Sequence, residues 1–155
     1  MKRAAIQFLY QCRRLALRLL RLKTRGVKAM VFNEAGELLL IRNSYGPRRH
    51  VFVLPGGGIG RRESPADGAA REVLEETGLT VERLTAVSVH RSEAEGKRDT
   101  IHLFIGHATG TPNADAGEVD DARFFPLDAL PANVSDATRR RIAEYRGERP
   151  VSESW

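Results

Sequence analysis

The chain has one cysteine, Cys12, so no internal disulfide can close and no multi-cysteine zinc site can be assembled. It has no unbroken apolar run approaching the roughly 18 residues that span a bilayer. Aromatic residues make up only 6% of the sequence, too few and too scattered to suggest a base-stacking platform, which disfavours nucleic acid as a partner. Acids are absent from the first 28 positions, where nine of the 25 Lys and Arg residues lie. The other 16 basic residues face all 20 acids, so the net charge of +5 belongs to the N-terminal segment and not to the body. That asymmetry predicts an anionic surface or partner for the segment alone. The single thiol fits a reducing, cytoplasmic setting.

What is present begins with that segment. Phe8, Cys12, Leu15, Leu19 and Leu22 recur in steps of four and three residues, and Gln7, Gln11, Arg14, Arg18, Arg21 and Arg25 follow the same rhythm on another face. The pattern predicts a basic amphipathic helix over residues 4–25. Three uses compete for it: packing against the body or a second copy to make a homodimer, lying on an anionic membrane surface at its inner face, and nucleic-acid contact, the least favoured. A secretory signal is not expected, because Gln7, Gln11, Arg13 and Arg14 interrupt any apolar core.

Gly26 is expected to end that helix. Strands are expected over Val27–Phe32, Glu37–Arg42, Val51–Leu54, Thr80–Arg91, Thr100–Ala108 and residues 122–125, with a closing helix from Ser135 to Tyr145. The division expected is residues 1–26 as the appended helix, 27–146 as one domain and 147–155 as a tail without a reliable pattern. No second histidine stands at metal-site spacing, so His50 reads as a loop residue and His102 as a strand residue.

The chemistry is concentrated between Gly57 and Leu79. Ser64 and Pro65 open a helix, Asp67 supports its first turn and Gly78 stops it. Within it Glu72, Glu75 and Glu76 are neighbours on one face at three- and four-residue spacing, at a cost in like-charge repulsion. Ala66, Ala69, Ala70, Val73, Leu74 and Thr77 are expected on the opposite, buried face. Crowded carboxylates beside the turn Gly56–Gly57–Gly58 suit hard divalent cations, and such cations commonly act on phosphates. Upstream, Arg42, Arg48 and Arg49 are candidates for substrate phosphates, with ordinary solvation as the alternative.

Gly57, five residues, Glu63, seven residues, then Arg71-Glu72-Val73-Leu74-Glu75-Glu76-Thr77-Gly78-Leu79 resembles the complete signature of the Nudix hydrolases. The likeness extends more loosely over residues 27–130, through Leu54-Pro55-Gly56 and Ala122–Leu127. It implies an α/β fold, a Nudix-like α/β/α sandwich with a mixed sheet, to which the N-terminal helix is appended. It also implies a nucleotide-type substrate, a nucleoside diphosphate linked to another moiety, cleaved with Mg2+ or Mn2+. By the same resemblance, Glu72, Glu75, Glu76 and the Gly57 carbonyl hold metal, with Glu72 also a base in some members. Arg71 orients the glutamates, Glu63 supports them, and Glu118 adds an acid, with Asp120 and Asp121, or Glu93 or Glu95 from the hairpin, as competitors. Residues 87–98 contain no proline, tyrosine or tryptophan to mark a substrate subgroup, and Leu39–Ser44 is only partly like the pattern associated with coenzyme A, so the substrate assignment stays generic. The rival reading is a catalytically silent binding or regulatory module, directed by its basic helix.

Overall fold

The computed structural model describes residues 23–93, 98–114 and 118–155. Strand β1 (Lys23–Phe32) runs through its middle. The chain turns at Asn33–Gly36, where Gly36 takes φ +76° and its N–H bonds the Asn33 carbonyl. It returns as β2 (Leu38–Asn43) and continues through β3 (Phe52–Val53), α1 (Pro65–Thr77), β4 (Glu82–Ser92), β5 (Arg98–His107), β6 (Val119–Phe125) and α2 (Asp136–Tyr145). Six strands form one mixed sheet in the order β3-β2-β1-β5-β4, with β6 also paired to β2. β1 and β5 are parallel over ten residue pairs, from Lys23 opposite Arg98 to Phe32 opposite His107, and the other pairings are antiparallel.

Successive side chains of a strand point to opposite faces. Ala29 and Val31 therefore meet Val73 and Leu79 on one side of the sheet, whereas Met30 and Phe32 meet Leu54, Val134 and Ile142 on the other. With Val73 on α1 and Ile142 on α2, each face carries one helix. This is the mixed-sheet sandwich the sequence predicts.

α1 is capped as its sequence dictates. The Ser64 hydroxyl accepts the Asp67 N–H at 3.1 Å, and Gly78 adopts φ +71° so that its N–H reaches the Leu74 carbonyl at 2.8 Å. Its expected division into an apolar face and an opposed acid face needs correction. Ala66 and Leu74 are exposed, Leu74 at 49%, and the buried residues are Gly68, Ala69, Val73 and Thr77. Glu72 and Glu76 are half-buried beside them. At about 100° per residue, positions 69, 72, 73 and 76 share one arc, and that arc faces the sheet.

The N-terminal expectation also changes at its boundary. Lys23, Thr24 and Arg25 belong to β1, paired to Arg98–Thr100, and Gly26 lies inside the strand. The remainder of the helix expected over residues 4–25, with its dimer and membrane readings, lies outside the described residues. Among the described residues no helix is long and apolar enough to cross a membrane. At the other end, the patternless tail is docked. Arg91 N–H donates to the Glu153 carbonyl at 2.7 Å, and Trp155 N–H to the Arg91 carbonyl at 2.9 Å, alongside β4. The Trp155 ring packs against His90 and under the buried Arg141 guanidinium, which pairs with Glu144 at 2.7 Å.

Candidate active site

Beyond the single pair Phe32–Leu38, the edge of β1 is occupied not by β2 but by the glycine turn. Ala29 N–H donates to the Pro55 carbonyl at 3.0 Å, Val27 N–H to the Gly57 carbonyl at 2.9 Å, and Ile59 N–H to the Arg25 carbonyl at 3.0 Å. Two glycines there are required for different reasons. Gly56 has φ +135°, and a Cβ on it would lie 2.2 Å from the Val27 carbonyl oxygen. A Cβ on Gly57 would lie 2.6–2.7 Å from all three heavy atoms of the Glu72 carboxylate. The turn is thus fitted to strand backbone on one side and to a helix carboxylate on the other.

Arg71 joins the turn to the acids. Its Nε donates to Glu63 Oε1 at 2.8 Å and its Nη1 to Glu72 Oε1 and Glu75 Oε2, both at 2.9 Å. Its Nη2 reaches the Gly58 carbonyl at 2.9 Å and Glu63 Oε2 at 3.1 Å. Glu63 also accepts the Gly60 N–H at 2.7 Å. The Arg71 hydrogen bonds, helped by Gly60, hold the Glu63 carboxyl down at about 2. Glu63 in turn raises the already high Arg71, which stays a cation.

The other two acids are perturbed in the opposite sense. Burial raises Glu72 despite its bond to Arg71. Burial pushes Glu76 up to about 7, against the pull of Lys28 and of the Gly56 N–H, which donates to Glu76 Oε2 at 2.8 Å. Lys28 itself, half-buried on β1, donates to the carbonyls of Leu54 and Gly56, each at 2.8 Å. Burial lowers its pKa and the Glu76 charge opposes that. Sequence reasoning missed this lysine by counting it with the N-terminal basic run. The available signal was a cation inside the apolar stretch Val27–Phe32.

Among the described residues, no three carboxylates already converge tightly enough to hold an ion. Arg71 draws off Glu72 and Glu75, and the Gly56 N–H holds Glu76. The donor set nonetheless fits a hard cation. Three glutamates present oxygens on one helix surface, Gly57 leaves room for the Glu72 carboxylate, and burial holds Glu76 poorly ionised against the pull of Lys28. The Gly57 carbonyl spends one lone pair on Val27 and keeps a second.

The three upstream arginines are not brought to one place. Arg42 lies 3.7 Å from Asp121 and over the Phe52 ring, and with Ser44, Arg49, His50 and Asp120 it lines a cavity of about 380 Å³. A separate cleft of about 600 Å³ is lined by Gly58, Ile59, Gly60, Arg62, Glu63, Arg71 and Glu72. Arg48 is the one whose charge is felt at Lys28, and the Glu118 charge is felt at Glu76. The sequence also failed to single out Arg62, which borders the acid cleft from within the signature loop.

A family model described as the NUDIX domain matches residues 22–145. The chain belongs to the Nudix family. A Bacillus subtilis (strain 168) protein named "Putative 8-oxo-dGTP diphosphatase" is 30% identical over 124 residues, covering 79% of this chain and 80% of that one. An ADP-ribose pyrophosphatase of Methanocaldococcus jannaschii is 28% identical over 108 residues, covering 68% of this chain and 64% of that one. The crystal structure of a MutT NUDIX hydrolase from Burkholderia pseudomallei superposes with a TM-score of 0.69 at 27% identity, covering 78% of this chain and 96% of that one.

The two glycines of this Nudix domain give a first test. In Gly57→Ala the intruding methyl meets the end of a flexible side chain, so Glu72 should swing aside while the fold stands. The expected result is turnover reduced about 10- to 100-fold, as for disturbed metal-site support, with a melting temperature within about 4 °C of wild type. Steady-state kinetics beside a melting curve checks both halves.

Proposed function

We propose that this Nudix hydrolase cleaves the diphosphate linkage of a nucleoside diphosphate joined to another moiety, with Mg2+ or Mn2+ held by Glu72, Glu75 and Glu76 and by the Gly57 carbonyl. A bound cation would neutralise the diphosphate and lower the pKa of the attacking water. The observation that carries the reading is the Arg71 fan, one guanidinium bonded at once to Glu63, Glu72, Glu75 and the Gly58 carbonyl. A solvated acidic helix would need no such buttress.

In this reading each side chain has its own duty. Arg71 ties Glu72 and Glu75 to one guanidinium and counters their repulsion in the metal-free protein. Glu63, held ionised by Arg71 and Gly60, fixes the guanidinium plane. Glu72, which the family resemblance makes a base in some members, is the candidate to take a proton from the attacking water, and Glu118 adds negative charge near Glu76. Arg62, on the border of the acid cleft, and Arg48, whose charge is felt at Lys28, would meet substrate phosphates, whereas Arg42 and Arg49 would act from their separate cavity on the substrate's far end.

A panel of nucleoside diphosphate derivatives, 8-oxo-dGTP and ADP-ribose among them, incubated with Mg2+ and resolved by chromatography, tests the proposal. At least one member should yield a nucleoside monophosphate and the complementary phosphorylated product. Ligand binding without turnover across the panel would instead favour a silent module.

A further inference from the structure

Lys28 occupies an expensive position. It stands on the central strand of the sheet, between core residues Val27 and Ala29, where an ammonium must find compensation for the water it gives up. The compensation comes from one loop and one helix. Nζ binds the carbonyls of Leu54 and Gly56, both at 2.8 Å, and Glu76 and Glu72 supply the opposing charge. Gly56 is held on both of its flanking peptides, its N–H donating to Glu76 Oε2 at 2.8 Å and its carbonyl accepting from Lys28 Nζ. The lysine, the turn and the buried acid therefore form one connected unit under the site.

We infer that the Lys28 ammonium is a resident cation of the acid cluster, a positioning residue that pins the glycine turn and limits divalent uptake by the substrate-free enzyme. The inference rests on the metal-binding reading of Glu72, Glu75 and Glu76. A fixed positive charge behind Glu76 repels an incoming divalent ion in a setting where screening is weak. Tight loading is then deferred until a substrate's diphosphate contributes its own negative charge. Arg48 adds to the same positive field and Asp99 subtracts from it.

Mn2+ titration of the substrate-free protein at low ionic strength, with free ion followed by electron paramagnetic resonance, provides the test. Lys28→Gln keeps an amide that can donate to the two carbonyls but removes the charge. Its Mn2+ dissociation constant should fall about tenfold, while Lys28→Arg stays within twofold of wild type. Lys28→Met, which loses the bonds as well, should also bind Mn2+ more tightly while melting at a lower temperature. A merely structural lysine would lower the melting temperature and leave the constant unchanged. An unaltered or weakened constant in Lys28→Gln overturns the inference and leaves the acid cluster intact. Absence of Mn2+ binding by wild type and by all three variants would overturn the cluster and this inference together.

Discussion

Glu76→Gln is expected to cut turnover by about 100-fold or more while leaving the fold standing. Partners that merely support a metal site cost about 10- to 100-fold when removed, and Glu76 is proposed as a direct ligand. The amide oxygen can still accept the Gly56 N–H, so the loss follows from the missing charge and not from a displaced turn. The pH dependence separates this residue from its neighbours. With its carboxyl pushed up to about 7 by burial, Glu76 is largely protonated in the acidic range, and a cation must displace that proton. Wild-type affinity for Mn2+ should therefore climb with pH and level off above about 7, whereas the variant should bind weakly with a flatter profile. The sign for stability runs the other way. Because the folded pKa lies above the ordinary 4.5, ionising Glu76 weakens the metal-free fold as pH rises between those values. Added Mn2+ should restore the lost stability in wild type and not in Glu76→Gln. Isothermal titration in buffers of differing ionisation enthalpy would count the released proton, and an identical pH profile in both proteins would remove Glu76 from the ligand set.

Gly56→Ala should produce the largest loss of stability. Its Cβ would lie 2.2 Å from the Val27 carbonyl oxygen and 2.9 Å from Lys28 Cα, atoms of a central strand that cannot retreat. Its φ of +135° is strained for any side chain. Together these predict about 3 kcal/mol or more of destabilisation, a fall in melting temperature of about 6–12 °C for a domain of this size. Gly36→Ala is the matched control, since Gly36 also has positive φ but no atom within 4 Å of the added methyl. Its penalty should stay near 1 kcal/mol. Equal melting temperatures for the two variants would show that the contact with β1 is not what demands glycine at position 56.

Local chemistry made much of this molecule legible. The cap at Ser64, the stop at Gly78 and the spacing of Arg71, Glu72, Glu75 and Glu76 depend on neighbours within one turn of helix, and such relations are written in the sequence itself. The six strands were visible for a similar reason, apolar runs separated by turn residues. What depends on contacts across the fold was not visible. Lys28 acquires its role only because the turn at Leu54–Gly56 lies beside it, some 26 to 28 positions later. Arg42 and Arg49 seemed close to the acids along the chain, yet β2 and the loop after it carry them to a separate cavity. Leu74 matched a burial pattern, but α1 meets the sheet through Ala69, Val73 and Thr77. The docked tail could not be foreseen because its partners His90 and Arg91 come from the distant strand β4.

β1 is zipped to β5 through ten successive pairs on one side and carries the glycine turn on its backbone amides on the other. Adding or deleting one residue there would reverse which face each later side chain presents and would carry the turn away from Glu72 and Glu76. Insertions should therefore be refused between positions 23 and 32, making this strand the ruler against which the whole catalytic apparatus is measured.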